Sequence, residues 1–197
     1  METLSTKEKI LDAAIKLFSS KGYEIVSMRD IAQAVGIKAA SIYNHFPAKR
    51  DILRGMFDFY VCESQKVFPD LNVMLRLVET APVQEVFSKV EYYYPPELQE
   101  KMDCILITAS QGINTDPDCD TFLREHFFRP MVELWVLLFN RMIELGKIEP
   151  MDVETFVRVI TRYAYSEALL NRSSMKVSFE QWIKCFGMVL SLVKIVQ

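Results

Sequence analysis

Hydrophobic residues recur along this chain at intervals of three and four, the spacing that places them on one face of an α-helix. Ile10 and Phe18 belong to the first such segment. It follows Ser5 and Glu8, which have the spacing of a capping box, a pair of residues that bond each other's backbone at a helix start. Gly22 is typical of a helix end. The pattern therefore predicts a first helix between Ser5 and Gly22.

Two further short helices are predicted within the first 50 residues. Ser27 and Asp30 repeat the start signal, and Gly36 ends the second helix. A third amphipathic segment, residues 38–46, follows after only a tight turn. Pro47 is expected to stop that segment and to begin the next helix, because proline is tolerated in a first helical turn.

Beyond residue 50 the segments are longer, and none shows the strict alternation of a β-strand. Helices are predicted over residues 48–67, 82–93, 96–111, 118–146, 151–172 and 178–196. Pro130 should kink or split the fourth of these, because proline removes a backbone donor and clashes with the preceding turn. The expected fold is all-α, with a three-helix head in residues 1–50 and a larger helical bundle in residues 51–197.

The distribution of charge adds a difference between the two parts. Residues 1–50 carry eight Lys or Arg against five Asp or Glu, a net charge of +3, whereas residues 51–197 carry 15 against 21, a net charge of −6. A basic head on an acidic body is expected when only the head contacts a polyanion. Half of the residues are hydrophobic, yet no apolar run has the length or flanks of a membrane span or a signal peptide. We therefore expect a cytoplasmic protein that does not enter a membrane.

The residue types that usually carry catalysis form no recognised pattern here. The four cysteines, Cys62, Cys104, Cys119 and Cys185, include no Cys-x-x-Cys pair, and neither histidine has metal-ligand spacing. The chain contains no Gly-x-Ser-x-Gly, no phosphate loop and no His-Glu-x-x-His. We therefore expect no metal, no cofactor and no enzymatic activity. The cysteines are interpreted as reduced, mostly buried thiols, and a redox role stays open because it depends on a lowered pKa.

The strongest functional signal lies in residues 28–46. Ala32 is small enough for two helices to cross closely, and Gly36 allows the positive φ of a tight turn. Ile42, six residues further on, would fill the small core between the helices. This is the spacing of a helix-turn-helix, although helix-glycine-helix corners also occur in many enzymes.

The motif becomes specific through its continuation, Ala40-Ser41-Ile42-Tyr43-Asn44-His45-Phe46-Pro47-Ala48-Lys49. Together with the preceding Phe18-x-x-x-Gly22-Tyr23 and Ser27-Met28-Arg29-Asp30-Ile31-Ala32, it resembles the tetracycline-repressor (TetR) family of regulators. The likeness runs from about Ile10 to Leu53, and beyond it only the helix lengths are similar. It implies a repressor that a small, largely apolar effector releases from a palindromic DNA operator. The operator, the effector and the choice between repression and activation stay open.

The resemblance also implies which residues of the head contact DNA. The segment from Lys38 to His45 would enter the major groove. The predicted contacts are Ser27, Lys38, Ala39, Ala40, Ser41, Tyr43, Asn44, His45 and Lys49. Physical chemistry agrees for Ser27 and Lys49, since helix starts favour a phosphate, and for Asn44, since Asn can pair with adenine through two hydrogen bonds. Structural alternatives stay open: Ser27 as a cap only, Tyr43 packed on the turn and His45 as a surface histidine.

The body is expected to form a dimer and to hold the effector. The last two predicted helices have apolar faces that need a partner, and in the resembled family their equivalents pair with copies of themselves in a second subunit. The predicted interface residues are Phe156, Tyr163, Trp182, Phe186 and Val189. An intramolecular helix pair is the alternative.

Methionine and aromatic residues are frequent in residues 51–146, where the resembled family places its effector site. Most should be core, but such side chains also line pockets for apolar ligands. The candidates are Met102, Ile105, Met131, Trp135 and Tyr163. The alternative function is a helical interaction protein that keeps the fold without sequence-specific DNA binding.

Overall fold

The computed structural model describes residues 4–67, 70–89, 95–170, 184, 187–188 and 191–196. Its α-helices are α1 (Thr6–Lys21), α2 (Met28–Val35), α3 (Ala39–Ile42), α4 (Lys49–Val67), α5 (Leu71–Thr80), α6 (Val83–Lys89), α7 (Pro96–Gly112), α8 (Pro117–Thr121), α9 (Arg129–Glu144) and α10 (Val153–Leu170). A π-helical segment, Phe122–Phe128, lies between α8 and α9. The predicted all-α fold class is confirmed. No helix among these residues has the length and apolar character that crossing a membrane requires.

The capping box predicted at the start of α1 is present in the structure. The hydroxyl of Ser5 accepts the N–H of Glu8, and the Glu8 carboxylate accepts the N–H of Ser5 at 2.7 Å. Pro130 lies in the first turn of α9, and the predicted helix over residues 118–146 is interrupted by the π-helical segment that ends two residues before the proline. The backbone stays helical through this junction, since Phe128 has helical φ and ψ, so the proline accompanies a distortion of the helix and does not end it.

α5 is an element that the hydrophobic spacing does not predict. Asp70 begins it, since its carboxylate accepts the backbone N–H groups of Asn72 and Val73. Met74 and Val78, four residues apart, are its buried positions. The helix is only ten residues long, so its apolar face offers few repeats from which a period can be read.

The prediction of a helix over residues 178–196 is wrong for residues 191–196. Residues 191–196 are not helical, and Ile195 forms an isolated antiparallel bridge with Ile148. The N–H of Glu149 donates to the carbonyl of Lys194 at 2.8 Å, and Val193 is buried. Backbone groups of this segment therefore form hydrogen bonds with the chain after α9 and not the hydrogen bonds of a helix.

The chain divides into two compact units, and the first contains residues 1–66 and 94–124. Its core includes Phe18 of α1, Ile52 of α4 and Ile105 of α7, all fully buried. Phe57 of α4 stacks on Phe122 with ring centroids 4.2 Å apart. The unit thus extends beyond residue 50, because α4 and α7 belong to the same core as the head. The functional boundary at residue 50 stays a prediction.

The second compact unit contains residues 67–93 and 125–197. Trp135 and Phe139 of α9 pack with Val157 and Ile160 of α10 and with Met74 of α5 in its core. The ammonium of Lys147 joins α5 to the chain after α9, because it donates to three carbonyls at the end of α5.

Candidate nucleic-acid interface

The start of α2 is fixed by a reciprocal pair of hydrogen bonds. The hydroxyl of Ser27 accepts the N–H of Asp30 at 3.2 Å, and the Asp30 carboxylate accepts the N–H of Ser27 at 2.8 Å and its hydroxyl at 2.5 Å. The hydrogen bond from the Ser27 hydroxyl, and to a smaller extent that from the Ser27 N–H, lower the pKa of Asp30. Ser27 therefore acts as a helix cap, and its contact with phosphate stays a prediction.

The turn between α2 and α3 has the backbone that the glycine predicts. Gly36 is left-handed, with φ 75°, a conformation that side-chain-bearing residues rarely adopt. The N–H of Ile37 then donates to the carbonyl of Ala32 at 3.0 Å. Ile31 and Ile42 are fully buried on either side of this turn. The helix-turn-helix is therefore formed, with α3 as its second helix.

α3 is shorter than predicted, since only Ala39–Ile42 is α-helical. The N–H of Asn44 donates to the carbonyl of Ser41 and that of His45 to Ile42, as in a tight turn. Phe46 is buried and precedes Pro47, which disfavours a helical backbone at Phe46. The prediction of a helix through His45 is thus corrected, and Asn44 and His45 lie in the turn after α3.

The predicted DNA contacts from Lys38 to His45 are accessible to solvent, and the buried Ile42 between them attaches this segment to the core. Ile42 is fully buried, whereas Tyr43 beside it is 52% exposed. Lys38, Ala39, Ala40 and Asn44 are exposed, and Ser41 and His45 are half-buried. The alternative that Tyr43 packs against the turn is therefore disfavoured.

Lys49, the first residue of α4, is engaged inside the protein. Its ammonium donates to the carbonyl oxygens of Tyr23 at 2.7 Å and Glu24 at 3.3 Å, and lies 4.3 Å from the centre of the Tyr23 ring. Burial, and then the charge of Asp116, raise the pKa of Tyr23 to about 12. Phosphate contact by Lys49 stays a prediction.

Arg29 is a candidate contact that sequence reasoning missed. It lies exposed in the first turn of α2, two residues after Ser27, and forms no ion pair with the described residues. Its position in the first helical turn, two residues after the capping Ser27, is the signal that could have found it. An exposed guanidinium at the start of α2 adds positive charge where a phosphate would approach a helix N-terminus.

The predicted effector residues do not all belong to one compact unit. Met102 and Ile105 are buried in the first unit, whereas Met131, Trp135 and Tyr163 belong to the second. Trp135 lies 5.7 Å from Phe139, ring centre to ring centre, and is 5% exposed. Met131 packs half-buried against the same core. The pocket stays a prediction.

The predicted dimer residues are only partly within the described structure. Phe156 is half-buried, with its ring 5.3 Å from that of Phe139, and Tyr163 is also half-buried. Trp182, Phe186 and Val189 lie outside the described residues. Val159 of α10 is 54% exposed and adds an apolar surface position to the predicted set.

Among the described cysteines, Cys104 and Cys119 are buried and Cys62 is exposed. Burial, followed by the charges of Asp116 and Asp118, raises the pKa of Cys119 to about 12. A thiol with so high a pKa is a poor nucleophile at neutral pH. Cys119 is therefore unsuited to redox sensing, and the question stays open for Cys62.

Residues 10–56 match the model of the bacterial regulatory proteins, tetR family. Over 46 residues the chain is 54% identical to the biofilm operon icaADBC HTH-type negative transcriptional regulator IcaR of Staphylococcus aureus (strain Newman), a match that covers 23% of this chain and 25% of that regulator. The chain thus matches about a quarter of the length of this curated relative.

Solved structures show the same fold along nearly the whole chain. The ketosteroid transcriptional regulator KstR2 of Mycobacterium tuberculosis matches with a TM-score of 0.64 and 20% identity, covering 98% of this chain and 97% of its own. A gamma-butyrolactone receptor (ArpA like protein) matches with a TM-score of 0.66 and 14% identity, covering 96% and 88%. The resemblance is confirmed in sequence for residues 10–56 and in fold for the chain as a whole.

Proposed function

We propose that this chain, whose residues 10–56 match the model of the bacterial regulatory proteins, tetR family, is a transcriptional regulator that binds a palindromic operator as a homodimer. The observation that carries the proposal is the stretch from Lys38 to His45. It is solvent-accessible on both sides of the buried Ile42 and contains α3, the second helix of the helix-turn-helix. A surface of this kind suits the major groove, which admits one helix and its flanking side chains.

The chemistry of the stretch supports contact with both bases and phosphates. The exposed methyl groups of Ala39 and Ala40 suit the methyl group of thymine, and the Asn44 amide can both donate to and accept from adenine. Lys38, at the N-cap of α3, is exposed, so a phosphate can reach its ammonium. The hydroxyl of Tyr43 suits the same role.

A DNA-binding domain of this size gains specificity when two copies bind DNA together as a dimer. A two-fold dimer reads two half-sites about one turn of DNA apart, so the operator would be palindromic. The exposed Val159 of α10 supports a contact through this helix. Two proteins of the same fold are a ketosteroid regulator and a gamma-butyrolactone receptor, which favours a small, largely apolar effector in the helical body. We place this regulator in the cytoplasm and assign it no catalytic activity.

Selection of bound oligonucleotides from a random duplex pool tests the proposal. A recovered palindrome, bound with an affinity that falls steeply as salt rises, is the expected result. The absence of any salt-dependent affinity for duplex DNA would reject it and favour an interaction protein that has kept the fold.

The dimer is tested by Val159→Glu, which would place a charge in a desolvated interface. Light scattering should then report a monomer. Val73→Glu is the matched control, because Val73 of α5 is 53% exposed and carries no predicted contact, and it should leave a dimer. A Val159→Glu protein that stays dimeric would exclude this face of α10.

A further inference from the structure

We infer that Lys7, the second residue of α1, binds a phosphate of the DNA backbone beside the turn that follows α3. The inference rests on the proposed function. Lys7 lies outside residues 10–56, the range that matches the family model, and outside the predicted set of DNA contacts. Folding brings it to the helix-turn-helix, because its ammonium lies 5.4 Å from the centre of the Phe46 ring.

Phe46 fixes where this ammonium lies. The residue directly follows His45, the last of the proposed DNA contacts around α3, and is only 4% exposed. Its N–H donates to the carbonyl of Ile42 at 3.0 Å. A Cβ atom on Gly55 of α4 would lie 3.3 Å from the Phe46 ring and 3.5 Å from Leu11 of α1, so the ring packs closely between these helices. The ammonium is therefore placed beside the turn by a ring that has little room to move.

The charge of Lys7 is available to an anion. Lys7 is exposed and forms no ion pair with the described residues. The adjacent carboxylate of Glu8 is already engaged, since it accepts the N–H and the hydroxyl of Ser5 at 2.7 Å each. A ring face attracts an ammonium without using all three of its N–H donors, so a phosphate oxygen can accept from the same group.

The stability of α1 does not account for a lysine at this position. Lys7 lies in the first helical turn, where the positive end of the helix dipole repels a cation. The last turn, where Lys21 lies, is the favourable place for such a side chain. A phosphate at the edge of the groove that α3 enters would be attracted by Lys7, and this gives the lysine a role that the helix alone does not.

The test compares Lys7→Met with Lys9→Met, the same substitution at an exposed position of the same helix. Residues two apart on a helix do not share a face, and Lys9 lines a cleft with Ala34 and Val35 at the end of α2. Methionine keeps an apolar side chain over Phe46 and removes the charge. Affinity for the selected palindrome is measured by fluorescence anisotropy over a range of salt, with folding verified by circular dichroism.

Lys7→Met is expected to lower the magnitude of the slope of log affinity against log salt by about 0.9, the value for one phosphate contact. The ratio of wild-type to variant affinity should therefore be about 3.5 times larger at 50 mM than at 200 mM salt. Random duplex should show the same change, because a phosphate carries no sequence information. Lys9→Met should keep the wild-type slope, and so should Lys7→Arg, which retains the charge.

Neutral methylphosphonates, placed one at a time in the palindrome, identify the phosphate. At one position in each half-site the wild type should lose affinity, whereas Lys7→Met should lose none, since the two changes remove the same interaction. A position of this kind would support the contact directly. Equal losses in the two proteins at every position would overturn the inference.

Three further outcomes would also overturn it. Weaker binding by Lys7→Met with an unchanged slope would assign Lys7 to packing on Phe46 and not to phosphate. An equal fall in the slope of Lys9→Met would show only a general attraction between α1 and DNA. A slope that falls in Lys7→Arg as well would separate the effect from charge. Lys7→Gln, with the same expected slope, serves if Lys7→Met does not fold.

The wild type separates this inference from the proposed function. A wild type that binds the palindrome with a steep salt dependence, together with a Lys7→Met protein of equal slope, would reject the phosphate contact and leave the regulator standing. A wild type without salt-dependent affinity for duplex DNA would reject both.

Discussion

Gly112 lies so close to Cys119 that a Cβ atom on the glycine would be 2.6 Å from the cysteine sulfur. Cys119 is fully buried, so the sulfur has little room to move. We predict that Gly112→Ala lowers the free energy of unfolding by ~1–3 kcal/mol, because overpacking outweighs the better helix propensity of alanine. Chemical denaturation with urea measures this.

A double-mutant cycle tests the cause. In a Cys119→Ala background the sulfur is absent, so Gly112→Ala should be nearly neutral or slightly stabilising. An undiminished loss in that background would show that the steric contact is not the reason.

The capping pair of α2 predicts a pH dependence for Asp30→Asn. Hydrogen bonds from Ser27 lower the pKa of Asp30 in the folded state. Its ionised form therefore stabilises the protein above the unfolded pKa of about 4, and this contribution disappears as the pH falls through the lowered folded value. The melting temperature of the wild type should exceed that of Asp30→Asn at neutral pH, and the difference should shrink in acid.

The control for this prediction is Asp58→Asn, at an exposed position of α4. The difference from the wild type should be small and should not follow the same acid profile. A constant difference between wild type and Asp30→Asn from neutral to strongly acidic pH would contradict the assignment.

Lys147 joins the chain after α9 to the end of α5, within the second compact unit. Its Nζ donates to the carbonyls of Val78 at 2.5 Å, Ala81 at 2.8 Å and Glu79 at 3.1 Å, at the end of α5. Lys147→Met would leave these acceptors without their donor, so we expect a loss of ~1–3 kcal/mol in unfolding free energy and faster amide exchange in α5.

Lys194→Met is the comparison for Lys147→Met. Its side chain is 76% exposed and pairs with Glu149 at 3.3 Å, an arrangement that is worth less than about 1 kcal/mol. Equal losses in the two variants would show that the carbonyl contacts of Lys147 contribute no more than a surface ion pair.

Asn44→Ala tests base reading by the turn after α3. We predict a loss of ~1–3 kcal/mol on the selected palindrome, with relaxed preference at one position in each half-site, because a bidentate contact with adenine disappears. Binding to random duplex should stay the same. Asn140→Ala, an exposed asparagine of α9, should change neither affinity. Equal losses on palindrome and random DNA would assign Asn44 to the phosphate backbone.

Elements whose signals lie within a few residues were predictable from the sequence. The capping pairs Ser5–Glu8 and Ser27–Asp30, the left-handed Gly36 and the interruption of the α-helix near Pro130 all appear in the structure. The short α5 and the end of α3 were not, because few helical turns leave too little pattern to read. The non-helical segment at residues 191–196 depends on pairing with residues more than forty positions earlier.

The sequence by itself determined the helical class and the helix-turn-helix, since each follows from local spacing and residue type. Only the tertiary structure decided what Lys49 and Lys147 contact. Both are surface lysines by composition, yet their acceptors lie 26 and up to 69 residues away. A lysine carries the same charge whether it meets a phosphate or a backbone carbonyl, and only the folded chain brings those carbonyls within hydrogen-bond distance.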